Sequence, residues 1–107
     1  MKYFVRITEQ ASFHLKEIIT YIRDQLLSPT YAKSLLKAIR EAINSLEFMP
    51  ERHQIYQSNE LAIEKEIRLI VVKKYNILYV ADKSKMTVDI ISISYGGKNV
   101  DAEVLKY

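Results

Sequence analysis

An arginine stands inside the most apolar run of the chain, "IRLIVVKKYNILYV" from Ile67 to Val80. A guanidinium is costly to leave dry and unpaired, so Arg68 must reach water, a carboxylate or a phosphate. Glu64, Glu66 and Asp89 are the carboxylates that the sequence offers it; a phosphate would make it a binding residue. Lys73-Lys74, in the middle of the same run, read as a solvated turn, with phosphate contact as the alternative. Tyr75 and Tyr79 fall on one strand face, where such a pair can pack together or offer rings for base stacking. His14 and His53 lack metal-ligand spacing. With no cysteine in the chain, thiolate metal sites and disulfides are excluded. Gly96-Gly97 matches no phosphate loop and opens no helix. No Ser/His/Asp or Cys/His arrangement supplies a nucleophile, and nothing implies a cofactor. The residues alone yield a frame and a partner, not a reaction.

The frame is legible. Residues 2–7, "KYFVRI", are β-branched and aromatic and predict a strand. Thr8 offers an N-cap, with Glu9 in the first turn where a carboxylate suits the helix dipole. Ala11, Leu15, Ile18, Ile22 and Leu26 then form one face of an amphipathic helix. Ser28 can cap a second helix and Pro29 suits its first position. Ala32, Leu35, Leu36, Ile39, Ile43 and Leu46 make its apolar stripe, opposite Lys33, Lys37, Arg40, Glu41 and Asn44, and Pro50 is expected to close it. So short a connection makes the helices antiparallel neighbours.

Residues 51–64 read as a polar loop. Three strands follow, Glu66 to Val72, Tyr75 to Asp82 and Thr87 to Tyr95, as an antiparallel meander, and "YGGKNVDAEVLKY" remains as a tail. The expected class is α+β, a helical hairpin packed on a small antiparallel sheet in the order β-α-α-β-β-β. Alternation puts Ile67, Leu69 and Val71 opposite Arg68, Ile70 and Val72, and Ile91 and Ile93 opposite Val88 and Ile90. A sheet apolar on both faces wants cover on both. Two helices cover one, so the tail or another chain must cover the rest.

The chain's 107 residues suit one domain spanning 1–107. Hydrophobic residues at 49% and charged residues at 27% are ordinary for a globular protein. The formal charge of +3 is spread along the chain and permits nucleic-acid contact without arguing for it. Arg6 and Glu9 interrupt any signal-like N-terminal run, and "LIVV" and "ILYVA" are strand-sized, so a cytoplasmic location with no membrane contact is expected.

From about Val5 to Lys98 the chain resembles the RelE/ParE family, the toxic halves of bacterial type II toxin–antitoxin modules. The likeness is carried by "ASFHLKEIITYI" (Ala11, Leu15, Ile18, Tyr21, Ile22) and "YAKSLLKAIREAINSLEFMP", through Leu46 to Pro50. "EIRLIVVKKYNILYV" adds Arg68, Tyr75 and Tyr79, and "VDIISIS" adds the last strand. The spacing of the set is specific; any one piece is not. The resemblance implies a helical hairpin on one face of a small sheet. It also implies an antitoxin that lays an extended or helical segment over the toxin, as a possible hetero-oligomer beside a homodimer.

Family members differ in target. One branch cuts messenger RNA in the ribosome; the other poisons DNA gyrase and is not a nuclease. A nuclease needs groups for acid–base work on the 2′-hydroxyl and the leaving oxygen, and cations for the developing charge. The nuclease branch's middle-strand arginine falls here on Asn76, its basic residue past the last strand on Lys98, and its closing tyrosine or histidine on Leu105 or Tyr95. Lys98 keeps a charge, but Asn76 cannot stabilise an anion as arginine does. Tyr95 could act as an acid and Lys65 or Glu66 as a base. This depleted set, with the long matched hairpin, favours the gyrase-directed branch, whose members serve growth inhibition and plasmid stabilisation. Expected target contacts are then Tyr95, Lys98 and Asn99, with Arg68 ordering that surface. The alternative is a ribosome-dependent endoribonuclease using Lys65, Arg68, Tyr95 and Lys98. A third reading is a degenerate, non-toxic antitoxin-binding module.

Overall fold

The computed structural model describes residues 2–56 and 66–96. Strand β1 (Phe4–Ile7) leads into helix α1 (Glu9–Thr20). As expected, Thr8 caps the helix: its hydroxyl oxygen accepts from the Ala11 N–H at 3.2 Å. The helix continues as a π-helical turn, Tyr21–Gln25, in which the Leu26 N–H reaches back five residues to the Tyr21 carbonyl. That wider turn rotates the residues after it. Ile22 is buried, but Leu26, expected on the core face, is 54% exposed.

Helix α2 (Pro29–Asn44) begins at the expected proline. Ser28, however, provides no side-chain cap; its hydroxyl donates to the Leu26 carbonyl instead. Ala32, Leu35, Ile39 and Ile43 are buried at helical spacing, each full burial of a large aliphatic side chain being worth roughly 1.5–3 kcal/mol. The helix ends before Pro50. A 3₁₀ turn takes over at Ser45–Glu47, and Pro50 opens a second one, Pro50–Arg52. Between them Met49 adopts a left-handed conformation, φ 48°.

Strands β2 (Ile67–Val72), β3 (Tyr75–Asp82) and β4 (Thr87–Tyr95) form the antiparallel meander. The sheet order is β1-β4-β3-β2. Strand β1 joins the meander parallel to β4, with Phe4 opposite Thr87 and Ile7 opposite Ile90, which makes the sheet mixed.

The pairing of β3 with β4 slips at one point: Leu78 faces Ser92 while Tyr79 faces Ile90. Ile91 is the extra residue of a bulge, and one extra residue reverses the alternation beyond it. Ile93 therefore joins Val88 and Ile90 in the main core, together with Ile77, Tyr79, Val72 and the inner faces of both helices. The sequence pattern had set Ile93 against them. Ile91 goes to a smaller cluster with Ile67 and Leu78, flanked by Leu69, Val80 and Tyr56. Both sheet faces are apolar, as expected.

Past Ile90, β1 no longer pairs with β4, and the start of α1 takes over. The Thr8 N–H and hydroxyl both donate to the Ile90 carbonyl, at 3.0 and 2.7 Å. Gln10 donates to the Ile91 carbonyl at 2.8 Å, and the Ile93 N–H donates to His14 at 3.3 Å. Side chains of a helix thus complete the edge of a central strand.

Candidate functional site

The end of the meander gathers aromatic side chains. Tyr75 opens β3 and stands opposite Tyr95, the last residue of β4. Their rings meet edge to face, 5.7 Å apart at 78°, a favourable aromatic geometry. The chain turns tightly just beyond: the Gly96 N–H donates to the Lys74 carbonyl at 2.8 Å. A Cβ at Gly96 would sit 3.2 Å from that carbonyl oxygen, closer than it could stay without a shift of the hairpin. The Lys73-Lys74 turn is thereby fixed beside the end of β4, with Lys73 in a left-handed conformation, φ 56°.

Across from this end lies the last part of the first helical segment. Ile18 and Glu17 come from α1, Tyr21 from the π-turn and Leu26 from just after it; with Tyr75 and Tyr95 they line a pocket of about 360 Å³. Its walls are almost wholly apolar, and among the described residues Glu17 is the one charged residue lining it. Burial raises the pKa of the Tyr75 hydroxyl, and the neighbouring Tyr31, Tyr95 and Tyr21 add to the effect. The Lys73 ammonium lies 5.7 Å from the centre of the Tyr31 ring, within range of a cation–π attraction.

Arg68 lies elsewhere. It pairs with Tyr79, whereas Tyr95 is linked through Tyr75 to Val72. Four residues of strand separate Arg68 from Val72, about 13 Å, and two strand spacings of about 4.8 Å separate β2 from β4. Arg68 therefore does not order the surface around Tyr95. It donates to the His53 carbonyl at 2.6 Å and pairs with the Glu66 carboxylate. Among the described residues, Glu66 is the carboxylate it meets of those the sequence offered. Asp89 is engaged by Arg6 at 2.8 and 3.1 Å, and Glu64 lies outside the described residues. The Arg68 side chain keeps only 14% of its surface exposed.

Around Arg68 the segment after the second 3₁₀ turn is strapped to β2. Ile55 bridges Arg68, the Leu69 N–H donates to the Gln54 carbonyl, and the Tyr56 N–H donates to the Ile67 carbonyl. The buried Tyr79 hydroxyl donates to the Pro50 carbonyl at 2.6 Å, and desolvation pushes its pKa up to about 12. His53 meets the Tyr79 ring edge-on. Burial lowers the His53 pKa, and the charges of Arg52 and Arg68 lower it further. This is a structural lock. Tyr75 and Tyr79, expected to share a face, do so, with Tyr79 in the core.

Lys65, Lys98 and Asn99 lie outside the described residues, as does Leu105. Asn76 is half-buried on β3, opposite Ser94, with its amide near Gly96. No group of histidines and carboxylates able to hold a metal is found among the described residues. The sequence had singled out Tyr95 but not the pocket beside it. The sequence places Tyr21 and Leu26 on the first helix, and the π-turn and the opposing strand end bring them together.

Among the described residues the arrangement offers shape and apolar surface. The family model for the ParE toxin of the type II toxin–antitoxin system parDE matches residues 5–100. Among solved structures, the chain is similar to the chromosomal ParDE toxin–antitoxin system from P. aeruginosa, with a TM-score of 0.69 and 14% identity over 88% of this chain and 96% of that one. It is similar to an archaeal RelE–RelB complex from Pyrococcus horikoshii, with a TM-score of 0.63 and 14% identity over 92% and 100% of the two chains. A mutant of the E. coli toxin RelE in the free state gives 0.61, with 19% identity over 99% and 97%. At these identities the structures share the fold. No curated protein matches the sequence.

Proposed function

The chain belongs to the ParE toxin family of type II toxin–antitoxin systems, and from that premise we propose that it inhibits growth by contacting DNA gyrase and is neutralised by a cognate antitoxin. The observation that carries this reading is the composition of the Tyr95 end. Among the described residues its pocket is lined by rings and branched aliphatic groups with a single carboxylate, Glu17, which suits protein contact better than phosphodiester chemistry. Asn76 stands where the nuclease branch carries an arginine, and an amide cannot neutralise a developing anion as a guanidinium does. Tyr95, Lys98 and Asn99 are the proposed target contacts.

Two of the similar structures are of a ParDE system and a RelE–RelB complex, which supports an antitoxin for this chain as well. Among the described residues no helix is long and apolar enough to cross a membrane, and a gyrase-directed toxin acts in the cytoplasm. The test is direct: purified chain is added to gyrase and supercoiling is followed, while ribosome-bound message is incubated in parallel. Loss of supercoiling with intact message is expected. Cleaved message with normal supercoiling overturns the reading and favours the endoribonuclease.

A further inference from the structure

The pocket at the Tyr95 end is an open socket. Tyr21, Leu26 and Tyr95 around it are 55%, 54% and 52% exposed, a costly arrangement for three large apolar residues in one place unless something covers them. At about 360 Å³ it sits near the lower end of ligand-sized pockets, roughly 300–1,000 Å³. That admits a bulky side chain but not a folded element. On one side stands the Lys73-Lys74 turn, tied to Gly96 at the end of β4. The surface thus pairs an apolar socket, with Glu17 in its lining, with the Lys73-Lys74 turn beside it.

We propose that this socket sets which antitoxin the chain accepts, by receiving one bulky apolar side chain of the antitoxin's toxin-binding segment while acidic residues of that segment meet Lys73 and Lys74. The inference rests on the reading of the chain as an antitoxin-neutralised toxin. Charge selects the occupant. A second copy of this chain would bring its own lysine pair and a net charge of +3 toward the same cations. A nucleic acid would satisfy the lysines and find rings to stack on, but the Glu17 carboxylate in the socket's lining would repel its phosphates. An amphipathic segment with an apolar anchor and flanking carboxylates meets both demands.

The test uses the full chain and the protein encoded by the neighbouring reading frame, titrated by calorimetry. The chain contains no tryptophan, so tyrosine emission, with Tyr21, Tyr75 and Tyr95 at the socket, gives a second readout. Leu26→Glu places a carboxylate in the mouth and weakens binding by about 30-fold or more, the effect of losing a central anchor. Lys73→Glu with Lys74→Glu weakens it about tenfold at low salt, and less as salt rises. Phe4→Glu, at the other end of β4, binds as the wild type does. Leu26→Trp fills the socket and rejects the native antitoxin, but recovers binding when the antitoxin's anchor is cut to alanine. Thermal melts establish that each variant is folded, and Leu26→Gln serves if the glutamate is not tolerated.

Native affinity in folded Leu26→Glu and Leu26→Trp overturns the proposal, as does an equal loss in Phe4→Glu. So does a wild-type dimer that Leu26→Glu abolishes, because the occupant would then be a second copy. A wild-type chain that ignores the neighbouring protein altogether removes the antitoxin reading itself. That outcome is distinct from binding that is merely indifferent to the socket.

Discussion

The imidazole of His14 accepts a hydrogen bond from the backbone N–H of Ile93 at 3.3 Å, so that a helix side chain stands where a neighbouring strand's carbonyl would otherwise be. The acceptor is Nδ1, an atom whose place the side-chain oxygen of asparagine can take. His14→Phe should leave a buried donor without this partner and cost about 1–3 kcal/mol, whereas His14→Asn should retain most of the stability. Urea unfolding of the three proteins measures the difference. Equal losses in both variants would show that ring packing, rather than the hydrogen bond, is what matters at position 14.

Helix α2 separates core from solvent within one turn. Ile39 has no exposed surface, while Lys37 lies on the wet face. Ile39→Ala should cost about 2–5 kcal/mol through lost burial and the cavity left behind. Lys37→Ala should cost about 0.5 kcal/mol or less. Denaturant midpoints report both, and the reverse ranking would put the helix in the wrong rotation.

Stability should fall at both ends of the pH scale, for separable reasons. The Tyr79 pKa is about 12 in the folded chain against an ordinary 10.0, so above pH 10 the unfolded chain gives up this proton first. The stabilisation is complete below about pH 10 and lost as pH rises toward 12, at about 1.4 kcal/mol per unit. His53 has its pKa lowered from 6.5, so the unfolded chain takes up the proton first as acid is added. Its contribution is present above about pH 6.5 and lost as pH falls through the folded value. Unfolding midpoints measured against pH should lose part of the alkaline decline in Tyr79→Phe, the raised pKa of Tyr75 leaving the rest, and part of the acid decline in His53→Phe.

Leu27 holds a left-handed conformation, φ 52°, where α1 and its π-turn give way to α2. Side chains other than glycine pay roughly 1–2 kcal/mol in that region, and glycine's greater freedom in the unfolded chain returns about 0.5–1 kcal/mol of that. Leu27→Gly should therefore raise stability by about 0.5–1 kcal/mol. A lower melting temperature would mean that the exposed leucine makes a contact worth more than the strain.

Tyr95 decides between two activities. As a contact residue it uses its ring, so Tyr95→Phe should remain toxic. Lys98→Ala should weaken toxicity in a salt-dependent way, because an exposed charge is screened. As a general acid it needs its hydroxyl, and Tyr95→Phe would then lose about 10²–10⁴ in cleavage rate. Growth curves on induction, with message integrity and a DNA-damage reporter read together, separate the two. Asn76→Arg is the companion variant: a cleavage rate that rises would mark a nuclease deprived of its arginine.

How far the sequence reached depends on whether a feature is local. β3 and β4 begin and end where the apolar alternation begins and ends, and the Thr8 cap and Pro29 mark their helices by short-range chemistry. The bulge at Ile91 leaves no such trace, because "DIISIS" is apolar enough on either side to fit both registers. The π-turn is hidden for a similar reason: Tyr21 to Leu26 satisfies ordinary helical spacing until one residue is looped out. Arg68 could be seen to need a partner, and Glu66 was among those foreseen, but the distance from Arg68 to Tyr95 follows from strand order, which no single segment encodes. The pocket is the same kind of feature, since its two walls are drawn from opposite ends of the chain.

The parallel pairing of β1 with β4 also sets the order in which the molecule can come into being. Phe4 is made more than eighty residues before its partner Thr87. At about 5–20 residues per second on a ribosome, β1 and the inner faces of both helices wait several seconds for the strand they pack against. The meander is assembled from neighbours, but β4, which lies between β1 and β3, is its last member to emerge. Until then neither the edge that His14 completes nor the socket beside Tyr95 can exist. A ribosome stalled before β4 has cleared the exit tunnel therefore holds a chain with its helices made but neither the completed strand edge nor the socket formed.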